Sequence, residues 1–239
     1  MKLRLGRDPI IIGGCGRSGT SLLLSILSCH PHIFTFPNET YFFCPMVYDK
    51  NVDFNSPFRI QDFCRLLFSF KIPWSCRRWC EKTPQNVIFF GRILKYFGKK
   101  VKIINIVRDG RDVITSRHPS DLSKFWVSSQ RWINDVEAGL SYENHPQVLT
   151  IRYEDLINNY ETTVKSICAF IGEDFRKEFL QFPKTAKEKL TEFKALNNEV
   201  QSIFADSIGR WKDPKYALRV EELMNNPRAK KILAHYHYL

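Results

Sequence analysis

The sequence predicts an α/β fold of three layers, with helices on both faces of a central parallel sheet. Three observations carry this prediction. Short β-branched runs, at residues 10–12, 33–36, 101–107 and 148–152, alternate with stretches of helical periodicity. These runs are largely apolar on both faces, as strands covered by helices on either side must be. The first run enters a glycine-rich turn that opens directly into a helix. Repeats of strand, loop and helix imply right-handed crossovers, and residues 1–239 have the size of one domain.

That first unit reads PIIIGGCGRSGTSLLLSILSC over residues 9–29. Ile10, Ile11 and Ile12 make the strand. Gly13, Gly14, Cys15, Gly16, Arg17, Ser18 and Gly19 make the turn, and Thr20 to Ser28 the helix, with Leu22, Leu23, Leu24, Ile26 and Leu27 to bury. Glycines let a backbone approach an anion, successive N–H groups point into the bend, and the helix N-terminus adds a positive end. Gly14 and Gly19 keep Walker spacing, so the sheet is expected to be P-loop NTPase-like, but Thr20 stands where the lysine belongs. The cation comes earlier, at Arg17. Mg²⁺-assisted γ-phosphoryl transfer would lack its main charge stabiliser, whereas a phosphate-like group still suits the loop. The alternative is a tight turn that binds nothing. Cys15, beside Arg17 and a helix N-terminus, is a candidate for a lowered pKa, although small size in a crowded loop accounts for it equally.

Further along, His30-Pro31 ends the helix, Ile33 to Phe36 is a short strand, and Glu39 follows a Pro37-Asn38 turn. Residues just past a parallel strand face the ligand crevice, which would aim Glu39 at the glycine loop; a helix N-terminal acid is the rival reading. Phe58 to Phe70 is helical, within a segment from Val47 to Ser75 that could cap the acceptor side. Arg78 to Lys82 is a strand whose last residue would also face the crevice, and Pro84 opens a helix running to Phe97. VKIINIV, residues 101–107, stops at Arg108-Asp109-Gly110-Arg111-Asp112, a second anion site, with Ser116 about two turns into the next helix. Salt bridging to Asp109 or Asp112 competes, more so for Arg111 than for Arg108. A helix is expected from Leu122 to Leu140, a strand from Val148 to Arg152, and a helix from Tyr160 to Phe170. Lys184 to Val200 is amphipathic and charged, and Ser207 to Lys212 is a late loop with two cations around Trp211.

Composition sets the outer bounds. Lys and Arg number 36 against 25 Asp and Glu, a net +11, which favours anionic ligands without choosing among them. The basic residues are dispersed and carry no nucleic-acid signature, so no nucleic-acid partner is expected. No run approaches the roughly 20 apolar residues of a membrane span, and MKLRLGRDP lacks the apolar stretch of a signal peptide. Seven scattered cysteines without a C-x-x-C pair suit reduced thiols in the cytoplasm. His235 and His237 lack a third ligand nearby, and no metal is expected.

Together, GRSGTS, Glu39, Lys82, VRDGRDVITSR and RYEDL resemble the PAPS-dependent sulfotransferase family, over about residues 9–212. The resemblance implies a P-loop-like fold and 3′-phosphoadenosine 5′-phosphosulfate as donor. Matched by position, Gly16, Arg17, Ser18, Gly19, Thr20 and Ser21 would cradle the 5′-phosphosulfate. Arg108 and Ser116 would take the 3′-phosphate, Tyr153 would approach the adenine, and Gly209, Arg210 and Trp211 would close over the 3′ side. Glu39 matches the catalytic base of the tyrosylprotein enzymes, with His118 or His30 as rivals, and Lys82 their lysine beside the transferring group. Arg17, where cytosolic small-molecule enzymes typically have lysine, makes the chain more similar to the tyrosylprotein and carbohydrate branch. That branch carries a membrane anchor and disulfides, whereas this sequence shows neither a span nor an even set of cysteines; the expectation is a soluble, prokaryotic-type relative, with an anchor outside these residues as the alternative.

The function expected is therefore sulfuryl transfer from PAPS to an acceptor hydroxyl on a glycan, tyrosine, lipid or small metabolite. A non-catalytic module binding a nucleotide or an acidic glycan, and a P-loop nucleotide kinase, are the alternatives.

Overall fold

The computed structural model describes residues 5–44, 56–118, 120–182 and 207–239. The charged stretch 184–200 and part of the expected acceptor-side cap, residues 47–55, lie outside them. Five parallel strands form one sheet in the order β2-β3-β1-β4-β5: β1 (Ile10–Gly14), β2 (Ile33–Thr35), β3 (Arg78–Lys82), β4 (Lys102–Val107) and β5 (Val148–Arg152).

β1 is central, and its isoleucines explain why the fold has three layers. Side chains alternate across a strand. Ile10 and Ile12 pack with Leu23 and Leu27 of α1 (Thr20–Ser28) and with Val164 and Ile167 of α7 (Tyr160–Ile171). Ile11 points the other way, toward Phe63 of α2 (Ile60–Ser69) and Phe90 and Ile93 of α3 (Phe90–Phe97). All three isoleucines are fully buried, each worth about 1.5–3 kcal/mol relative to exposure.

The other strands leave the sheet at the same edge. β4 leads into the short α4 (Gly110–Ile114), and β5 into α6 (Tyr153–Asn158). A third cluster joins Val107 and Ile114 to Trp132 and Ile133 of α5 (Ser129–Leu140), and to Leu223 of α8 (Ala217–Met224) and Ile232 of α9 (Pro227–His235). From β1 the chain crosses to β2 on one side, returns through β3, and then passes over β1 to β4 and β5 on the other, so the crevice at the C-terminal ends of β1 and β4 is a topological switch point.

Three expected helices are corrected. The run opened by Pro84 is a 3₁₀ helix as far as Phe89, and the α-helix starts only at Phe90. α5 begins seven residues later than Leu122, at Ser129, because Ser128 caps it: its side chain accepts the Arg131 N–H at 3.2 Å. Upstream, Arg117 pairs with Phe125 in an antiparallel bridge and Leu122 is 74% exposed, so its apolar side chain marks no core face. α4 ends at Ile114, which leaves Ser116 beyond the helix. None of the seven cysteines forms a disulfide, and all but Cys64 are buried. Among the described residues, no helix is long and apolar enough to cross a membrane.

Candidate functional site

The turn after β1 bends as a phosphate loop must. Arg17 and Gly19 have φ of 68° and 94°, in the left-handed region. A Cβ on Gly19 would run into the Tyr153 ring, so both conformation and space require glycine there. Gly19→Ala is expected to lower stability by at least about 1–2 kcal/mol and to weaken nucleotide binding, as read by thermal unfolding and calorimetry. Ser18 is fully buried, and its Oγ has no hydrogen-bond partner among the described residues. Groups so placed are ordinarily satisfied. Ser18 and the first-turn amides of α1, which have no partner within the helix, are thus available to an anion.

The second candidate anion corner adjoins the first. Arg108, at the end of β4, is buried. Its Nη1 donates to the carbonyl of Arg17 at 3.0 Å, and its Nη2 donates to the carbonyl of Ser207. The guanidinium lies 4.5 Å from the centre of the Tyr153 ring, and its buried Nε has no hydrogen-bond partner among the described residues. Tyr153 is packed behind the loop, between Gly19 and Arg108, with its hydroxyl 2.6 Å from Ser207 Oγ. Ser116 is fully buried, and its hydroxyl donates to the Asp112 carbonyl at 2.8 Å.

Arg111 serves structure, as its neighbours suggested. It pairs with Asp109 at 2.7 Å, donates to the Tyr238 carbonyl and stacks on Trp211 at 4.0 Å. Asp112 then anchors the late loop: its carboxylate accepts the N–H groups of Gly209 at 2.8 Å and Trp211 at 3.1 Å. Gly209 takes φ of 77°, and Arg210 to Lys212 forms a 3₁₀ turn. The corner therefore gathers Arg17, Ser18, Arg108 and the late loop. This donor-rich set fits a nucleotide carrying phosphate at both ends.

β3 delivers the remaining group. Register sets Lys82 beside Ile12, one residue short of the loop. Lys82 is 7% exposed, not a solvated surface lysine, and its Nζ donates to Glu39 Oε1 at 2.8 Å. Glu39 lies in irregular chain after β2 with its side chain a third exposed, so it is no helix N-terminal acid. Its Oε2 accepts the Tyr41 hydroxyl at 2.6 Å.

A sequence model described as the Sulfotransferase family matches residues 9–177. The chain belongs to the sulfotransferase family. Among curated relatives, the guinea pig (Cavia porcellus) 3-alpha-hydroxysteroid sulfotransferase is 30% identical over 101 residues, 35% of this chain and 35% of that protein. Mouse (Mus musculus) sulfotransferase 2A1 is 23% identical over 148 residues, 49% of this chain and 52% of that protein. These matches span a third to a half of the relatives' lengths. Among solved structures, the sulfotransferase domain of the Synechococcus PCC 7002 olefin synthase superposes with a TM-score of 0.67 at 17% identity, covering 98% of this chain and 96% of that one. Mouse sulfotransferase SULT7A1 complexed with PAP gives 0.58 at 20% identity, covering 100% and 94%. At such identities the structural likeness is one of fold.

Several features of this sulfotransferase site were not legible as function. Glu81 is fully buried beside Lys82, and accepts Thr40 Oγ1 at 2.8 Å, Thr83 Oγ1 at 2.5 Å and Asn86 Nδ2 at 2.7 Å. Burial pushes its carboxyl above the ordinary range, opposed by those donors. It ties the residue after Glu39 to the residue after Lys82. An acid next to lysine in a strand reads as a solvated charge, so only the fold shows it buried. Glu154, in RYEDL, likewise accepts the Asp109 N–H at 3.1 Å and the Tyr238 hydroxyl at 2.6 Å, bracing the Arg108 corner from behind.

Other expectations are corrected. Burial, with Asp135 adding to it, pushes the Cys15 thiol well up rather than down, so Cys15 is a packing residue and no thiolate. His30 is fully buried ahead of β2, at the end of the sheet opposite the crevice, and is no candidate base. Burial lowers it to about 4. His118 follows α4, meets Trp126 edge-to-face with ring centres 4.3 Å apart, and accepts the Ser120 N–H at Nδ1. His30, His32 and Glu173 bring ligand atoms within 4.8 Å of one another, but Glu173 already pairs with Arg7 at 2.9 Å and Arg78 at 3.0 Å. Two guanidiniums on one carboxylate make this an ion-pair hub that disfavours a further cation. His235 pairs with Glu143 at 2.9 Å.

Proposed function

We propose that residues 1–239 form one catalytic domain that moves a sulfuryl group from PAPS to an acceptor hydroxyl, in the cytoplasm. The observation that carries this reading is the contiguity of the two anion corners: one buried arginine, Arg108, bonds the glycine loop and the late loop together, and the Glu39–Lys82 pair sits one strand away. Bound PAPS would supply the sulfuryl group on its 5′ side and a 3′-phosphate that separates it from ATP.

The chain's own groups divide the work. Gly16, Arg17, Ser18, Gly19, Thr20 and Ser21 hold the 5′ end. Arg108, Ser116 and the Gly209, Arg210 and Trp211 loop hold the 3′ end, with Tyr153 packed against both. Glu39 takes the proton from the acceptor hydroxyl. Lys82 and Arg17 stabilise charge growing on the leaving oxygen, acting from a preorganised and largely buried position. A sulfuryl group carries one charge fewer than a γ-phosphate, so this scheme uses no metal.

The acceptor is a hydroxyl-bearing molecule. Relatives named for hydroxysteroids support a small apolar alcohol, and tyrosine and glycan hydroxyls are the alternatives suggested by Glu39 and Arg17. Calorimetry of PAP against 5′-AMP and ATP–Mg²⁺ tests the donor site. PAP should bind at least about tenfold tighter, a preference of ~1.4 kcal/mol. Tighter ATP–Mg²⁺ binding returns the kinase reading. PAP binding without product from labelled PAPS, over a panel of sterol, phenol, tyrosine peptide and glycan, leaves a binding module.

A further inference from the structure

Glu39 has a second neighbour whose backbone is under strain. Tyr41 holds φ of 53°, a left-handed conformation that costs energy for a bulky aromatic. Such strain persists where the surroundings over-determine it. Here Thr40 Oγ1 donates to buried Glu81 at 2.8 Å, and Arg59 Nη2 donates to the carbonyls of Thr40 at 3.2 Å and Tyr41 at 3.4 Å. The Tyr41 N–H reaches Thr83 Oγ1 at 3.4 Å. The twist brings the Tyr41 hydroxyl back over the residue two before it, 2.6 Å from Glu39 Oε2, while Lys82 holds Oε1 at 2.8 Å.

We propose that Tyr41 is a positioning residue that fixes the Glu39 carboxylate for proton abstraction. The inference rests on the reading of Glu39 as the base. With its side chain a third exposed, Glu39 would otherwise swing about its side-chain torsions. Lys82 from one side and Tyr41 from the other pin both oxygens, and each oxygen keeps a lone pair for an incoming hydroxyl. Simple packing does not account for Tyr41: the side chain is half-buried, and its polar end is spent on a carboxylate.

Tyr41→Phe keeps the ring and the backbone and removes only the hydroxyl. The assay is PAP release from PAPS with water as the acceptor, followed across PAPS concentration, alongside PAP affinity and Tm. The variant is expected to lose roughly 10- to 100-fold in kcat, the scale of a hydrogen bond to a charged group, with PAP affinity and Tm unchanged. The KM for PAPS should stay at the parent value, so that the loss falls on kcat alone. A wild-type kcat in Tyr41→Phe, alongside an inactive Glu39→Gln, overturns the positioning role and leaves the base in place. Full activity in Glu39→Gln, or no PAP release by the unaltered chain, overturns the base reading and this one with it.

Discussion

Lys82→Ala should lower kcat by about 10²–10³-fold, the usual cost of one preorganised donor aimed at developing charge, and leave PAP affinity nearly unchanged. The reason lies in where the lysine sits. Lys82 closes β3 beside β1, is 7% exposed, and spends one donor on Glu39, leaving others for the crevice. A cation held in this way needs no reorganisation when charge appears. Lys82→Met separates charge from packing, because it keeps most of the buried stem; it should fall as far as the alanine variant. Turnover within threefold of the parent in both variants would reject Lys82 as a stabiliser of the leaving oxygen.

Arg108→Ala is expected to weaken PAP binding by roughly 1.5–3 kcal/mol, the range for hydrogen bonds to charged groups. Binding of 5′-AMP, which lacks the 3′-phosphate, should weaken less. Arg108 also bonds the Arg17 and Ser207 carbonyls. Some loss for 5′-AMP is therefore expected through the loop, and the informative quantity is the difference between the two ligands. Equal losses for both would make Arg108 a strut of the loop and remove it as the 3′-phosphate ligand. Arg108→Lys should not rescue the loss, since an ammonium cannot reproduce the guanidinium's two-pronged reach.

β1, β2, β4 and β5 were legible as short, mainly apolar runs with β-branched residues, β3, polar in sequence although buried throughout, from its place ahead of Pro84, and the loop because glycine, arginine and hydroxyl residues converge on one helix start. Glu39 and Lys82 were placed correctly at one edge by the rule that ligands gather at the C-terminal ends of parallel strands. What pattern alone could not supply was burial of charge. Glu81, Asp112 and Glu154 read as ordinary surface acids, and each instead accepts donors brought from distant segments. The start of α5 was misplaced because Leu122, Phe125 and Trp126 mimic helical spacing, while the true signal, Ser128 as a cap, is a single residue. The helices over Ala217–Met224 and Pro227–His235 went unread, although Asn226 ahead of Pro227 is a capping signature: its side chain accepts the N–H groups of Arg228 and Ala229.

The distribution of sulfur gives the chain a built-in report on its own opening. Six of its seven thiols are at most 3% exposed; five are spread through all three apolar clusters, and Cys76 lies just ahead of β3. Burial pushes Cys168 up to about 12, far from the reactive thiolate. Cys64, on α2, is the exception. Pulsed alkylation followed by intact mass should thus show one fast adduct. Each later adduct then dates the opening of a named part of the core: Cys15 for the packing around α5, Cys80 for the sheet, Cys168 for α7. Nucleotide binding should slow the Cys15 step most, because that thiol sits in the glycine loop itself.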